Sequence, residues 1–137
     1  MEPLDFMDVA RAFQASPAEA ERRTAVGRSY YAAFNHVRNL IRAAGRPVTV
    51  KDAHACVLHY LRGASRGLRE VGTVHTALSS MRESRVVADY EMTATIHAAD
   101  SQAAVRRGQA VIAALERISQ ERLAGALRSV PAFQPRE

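Results

Sequence analysis

The chain has 137 residues, 47% of them apolar, and a single cysteine, which matches one domain with a real core and excludes an intrachain disulfide or a Cys-built zinc cluster. No long unbroken apolar run occurs and no basic start leads into an apolar stretch, so neither a membrane span nor a signal peptide is expected and the default is a cytoplasmic protein. The formal charge is +5, the sequence pI is near 10.1, and Lys51 is the only lysine among 19 basic residues; this arginine bias suits phosphate contacts and base stacking, although a GC-rich genome writes the same bias.

Leu4, Phe6, Met7, Val9, Ala10 and Phe13 fall near helical spacing and predict a short first helix over residues 4–15. Ser16-Pro17 offers a capping serine and a proline at the first helical position, with Glu19 and Glu21 in the opening turn. A second helix is therefore predicted from Pro17 to Ala44, ended by Gly45 and Pro47. Such a helix of roughly 28 residues spans about 42 Å, the length of a whole bundle. Gly27 inside it points to a close helix contact.

Ala53, Val57, Leu58 and Leu61 predict a third helix over 52–61, and the Arg/Gly/Ser-rich stretch from Arg62 to Gly67 reads as mobile. Val71, Val74, His75, Leu78 and Met81 predict a fourth helix over 68–85, followed by a bend or loop from Val86 to Thr95. Asp100 or Ser101 caps a fifth, whose stripe of Ala104, Val105, Gly108, Val111, Ile112, Leu115 and Ile118 runs on to about Leu127. The expected fold class is all-α, an up-and-down bundle of about five helices forming one domain over 1–128, with a flexible tail over 129–137.

On a wheel of the long helix, Val26, Tyr30, Ala33, Phe34, Val37, Leu40, Ile41 and Ala44 gather on one side. Arg28, Asn35, Asn39, Arg42 and Arg46 gather opposite. The first stripe reads as core. Of the second, Arg28, Asn39, Arg42 and Arg46 are the candidates for holding RNA or a nucleotide. Arg106, Arg107, Arg117 and Arg122 form another basic set, best explained as a solvated helix face.

The run Arg28-Ser29-Tyr30-Tyr31-Ala32, followed by Arg85-Val86-Val87-Ala88-Asp89-Tyr90, resembles the HEPN superfamily, in the branch with Arg-x-Tyr-Tyr-Ala and Arg-x-x-Ala-Asp-Tyr motifs. The resemblance covers residues 15–120. It implies a helical bundle paired as a homodimer, with an arginine and a histidine of the long helix forming a metal-independent endoribonuclease site of a toxin-antitoxin or defence system. In that scheme histidine moves the 2′-hydroxyl proton and arginine stabilises charge on the phosphate. Arg28 matches the arginine.

Asn35 stands at the histidine position, and His36 follows one residue later. Arg28 and Asn35 are about 20° apart on the wheel, whereas His36 is about 80° away and roughly 12 Å along the axis. An amide cannot act as a base near neutral pH. The candidate catalytic set is thus Arg28, His36 and Asn35, with His36 reaching Arg28 only across a dimer. The alternative is a non-catalytic HEPN module that serves as a partner or assembly subunit, for example with a minimal nucleotidyltransferase.

Tyr30, Tyr31, Arg85, Asp89 and Tyr90 read as a structural motif: Arg85 and Asp89 pair and pin the end of the fourth helix, while Tyr90 packs its ring and bonds its hydroxyl. His54 and His59 lie about 140° apart on a helix, the wrong geometry for a metal with Cys56. His75 reads as a packed histidine, His97 is uninformative, and no cofactor is expected.

Overall fold

The structure is a computed structural model that describes residues 1–135. Its elements are α1 (Pro3–Phe13), α2 (Glu19–Ala43), α3 (Ala53–Ala64), α4 (Arg69–Tyr90), α5 (Ala98–Glu116) and α6 (Gln120–Arg128), with no strand among the described residues. This is the all-α bundle expected, with six helices in place of five. None of them is long and apolar enough to cross a membrane.

The axis of the bundle is α2, which packs against each of the other five helices. Its stripe of Tyr30, Ala33, Phe34, Val37 and Ile41 is buried together with Val57 and Leu61 of α3, Leu78 of α4, Leu115 of α5 and Leu127 of α6. Ala32, on another side of α2, joins Met7 and Ala10 of α1 to Val105 and Ile112 of α5. The close helix pass lies at Gly108 and not at Gly27. A Cβ on Gly108 would stand 3.1 Å from the Ser29 carbonyl oxygen and 2.8 Å from Met7 Cε, whereas one on Gly27 would meet only Asp89 Oδ1 at an ordinary 3.7 Å.

Several boundaries differ from the periodicity reading; α5, for one, starts at Ala98 with His97 as its cap and not Asp100 or Ser101. α4 runs through Val86–Tyr90, which the sequence pattern assigns to a loop, because Ala88 is buried against Val26, Ile96 and Ala104. The fifth predicted helix is two: Ser119 caps α6, its Oγ accepting the Arg122 N–H at 3.2 Å, and the break turns Leu123 and Leu127 onto the core. α3 continues to Ala64 and takes in part of the stretch read as mobile. At the start of α2, Ser16 lies ahead of the helix, with its Oγ donating to Glu21 at 2.7 Å and accepting the Ala18 N–H at 3.1 Å.

The segment 129–135, expected to be flexible, lies on the bundle. Val130 is buried with its methyls over Gly63, where a Cβ would come within 2.5 Å of Val130 Cγ1. The Phe133 N–H donates to Tyr60 Oη at 3.2 Å, and His59 Nε2 donates to the Pro131 carbonyl at 2.7 Å. Apolar Val130 and Phe133 bury themselves against α3, which the prolines obscure in the sequence. Residues 136 and 137 of the expected tail lie outside the described residues.

Candidate nucleic-acid interface

Arg28 and His36 are not brought together within the chain. Arg28 is exposed, with its guanidinium 5.5 Å from the centre of the Phe6 ring of α1. His36 is half-buried and faces the charge of Glu116 on α5; burial outweighs that carboxylate and holds the imidazole below its ordinary pKa. Eight residues of helix keep the two roughly 12 Å apart along the axis. Asn35 is half-buried and Asn39 exposed.

Arg46 lies past the end of α2 and folds back onto the bundle, away from the binding stripe it was assigned to, whereas Arg42 stays exposed. Arg42 donates to the Val48 carbonyl at 3.2 Å. Arg46 donates to the Arg128 and Val130 carbonyls at 3.2 and 2.9 Å and lies 5.1 Å from the centre of the Tyr60 ring. Arg23 does likewise at the far end of α2, donating to the carbonyls of Ala88 at 2.8 Å, Glu91 at 3.1 Å and Ala94. These carbonyls lie at the end of α4 and in the turn after it, where no helical N–H reaches them, which is why a partly buried guanidinium settles there.

Arg85 pairs with Asp89 at 2.8 Å, one turn on. Its guanidinium also lies over the Tyr31 and Tyr90 rings, at 5.3 and 5.6 Å from their centres. Tyr90 differs from expectation: it is 66% exposed, so Arg85 covers one face and solvent meets the rest.

The best organised polar cluster lies where α2, α3 and α4 meet. Asp52, with φ of 59°, turns the chain into α3 and sets His54 in the first turn. There His54 Nδ1 lies 2.6 Å from Tyr30 Oη. The imidazole also packs 4.7 Å from the Phe34 ring centre and 6.3 Å from that of Tyr31. Tyr30 is fully buried, and burial pushes its phenol above the usual range. Burial first, and then the charges of Arg82 and Arg85, hold His54 below its ordinary value. Arg82 is exposed, makes no ion pair among the described residues, and lines a cleft of about 390 Å³ with Asp52, Ala55, Phe133 and Gln134.

Neither His54 nor Arg82 stands out in the sequence as a binding residue. The i, i+3 spacing of Arg82 and Arg85 was the available signal, since it puts both on one helical face. The contact between Tyr30 and His54 joins separate helices, and no local pattern announces it. His59, engaged with Pro131, does not share a site with His54. No group of three His, Cys, Asp or Glu side chains suited to a metal occurs among the described residues.

No family model matches the chain, and no solved structure matches it. It is similar to an uncharacterized protein of Methanocaldococcus jannaschii, 30% identical over 105 aligned positions that take in 66% of this chain and 63% of the relative. The chain thus spans less than two thirds of that relative's length.

Proposed function

We propose that this protein is a HEPN-like RNA-binding module of the cytoplasm, acting as a homodimer, that holds RNA by its phosphates without cleaving through Arg28 and His36. The observation that carries this reading is the pair Arg82 and Arg85 on one face of α4, beside His54 and the rings of Tyr31 and Tyr90, with Arg82 in no ion pair among the described residues. Guanidinium groups beside aromatic faces suit single-stranded RNA. The ribonuclease reading needs His36 of one subunit at Arg28 of another, and His36 is half-buried against α5.

The test is fluorescence anisotropy with a single-stranded RNA, together with a denaturing gel after incubation in EDTA. Affinity is expected to fall steeply between about 50 and 200 mM salt, and the RNA to stay intact. Absence of binding at low salt would sink the proposal. Cleavage that disappears in both Arg28→Ala and His36→Ala would restore the ribonuclease.

A second reading, an assembly subunit for a partner such as a minimal nucleotidyltransferase, draws on Val86, Val87, Tyr90 and Met92, which leave apolar surface exposed around the end of α4. Co-purification with the product of a neighbouring nucleotidyltransferase gene, lost in Val87→Glu, would favour it over RNA binding.

A further inference from the structure

The Tyr30 hydroxyl has one proton to give, and its neighbour within reach is His54 Nδ1 at 2.6 Å. Were Nδ1 to donate instead, the phenolic proton would be left buried with no acceptor among the described residues, the arrangement proteins avoid. Nδ1 therefore accepts, and the neutral ring carries its proton on Nε2. The Nδ1 edge faces a fully buried hydroxyl, so the half-buried ring turns its Nε2 edge outward.

The charges acting on this imidazole, Arg82 and Arg85 of α4, are both positive. Arg85 and His54 both pack on the Tyr31 ring, and Arg82 lies one turn before Arg85, so a neutral N–H donor stands beside guanidinium groups, an arrangement suited to an anion. The charged groups around it limit the anion: Asp89 pairs with Arg85, Asp52 shares the cleft with Arg82, and Tyr31 from α2 is neutral. The two arginines are thus matched by two carboxylates, which suits a singly charged phosphodiester better than a doubly charged terminal phosphate. The exposed Tyr90 ring beside Arg85 offers a stacking face to an adjacent base.

The structure assigns a site for an internal phosphodiester of RNA to Arg82, Arg85 and the Nε2–H of His54, with Tyr30 as the positioning residue that selects the proton-bearing nitrogen. This rests on the RNA-binding reading above and names its contact.

The experiment uses the full chain and a single-stranded RNA ending in a 5′-hydroxyl. Arg82→Ala weakens binding about tenfold and lowers the salt slope by about one, while Arg106→Ala on α5 stays within about twofold of wild type. Tyr30→Phe, checked for folding by circular dichroism, weakens binding near neutral pH. That loss recovers on acidification, when both ring nitrogens carry protons, a dependence that a packing defect does not produce. Long-range 1H–15N NMR of the wild type reports His54 protonated at Nε2. Adding a 5′-phosphate to the RNA leaves affinity unchanged.

If the wild type binds no RNA, the functional reading fails and this site with it. If it binds and Arg82→Ala binds equally well, the function stands and the site is wrong. A His54 protonated at Nδ1 overturns the role of Tyr30. A strong preference for the 5′-phosphorylated strand overturns the phosphodiester assignment.

Discussion

The wheel puts Arg46 on the same stripe as Arg28, yet it lies past the end of α2 and its guanidinium closes the carbonyls of Arg128 and Val130 over the Tyr60 ring. Arg82, two helices further on in α4, has no such engagement among the described residues. Arg46→Met is expected to cost about 1 kcal/mol in urea unfolding, the usual net worth of a hydrogen bond, and to leave RNA affinity within about twofold. Lost RNA affinity at unchanged stability would return Arg46 to the binding surface. Three histidines titrate in the same direction: burial holds His36, His54 and His75 below the ordinary 6.5. Because their folded pKa values lie under the unfolded one, the unfolded chain binds protons first. Their contribution to stability is full above 6.5 and is lost as pH falls through that value toward the folded pKa values. Melting temperature is expected to be flat between about pH 7.5 and about pH 8.5 and to drop on acidification, with His54→Gln making the drop shallower. A melting curve rising toward pH 5 would contradict this.

At the scale of elements, helix type is legible and helix ends are not. Apolar residues repeat every three to four positions along each segment, so the core stripe of α2, including Tyr30, Phe34 and Val37, can be named before any contact is known. Where α4 stops depends on Ala88 finding Val26 and Ile96, and where α5 gives way to α6 depends on Ser119 capping against the pull of a continuous apolar stripe. Ser119→Ala is expected to cost about 1 kcal/mol of stability by chemical denaturation. A negligible cost would mean that Leu123 and Leu127 hold the break without the cap. The pass of α5 across α2 is tighter. Gly108→Val puts a branched side chain against the Ser29 carbonyl and Met7 and is expected to destabilise by about 1–3 kcal/mol, read from the urea midpoint.

For the whole molecule, the C-terminal segment is the clearest departure from expectation. Val130 seated over Gly63, Phe133 bonded to Tyr60 and Pro131 accepting from His59 tie residues 129–135 to α3. Truncation after Arg128 is expected to lower unfolding stability by about 1.5–3 kcal/mol, the worth of burying one valine, and to raise dye binding to exposed apolar surface. Unchanged stability would mean that the segment is loosely held. By itself the sequence determined the helical class, the core face of α2 and the pairing of Arg85 with Asp89, because periods of three to four residues act within one helix. Only the tertiary structure decided that Arg46 closes on the carbonyls of Arg128 and Val130, that residues 129–135 pack on α3, and that Tyr30 meets His54. Those contacts join residues distant in the chain, and their energies depend on which carbonyls and hydroxyls the packed helices leave without water.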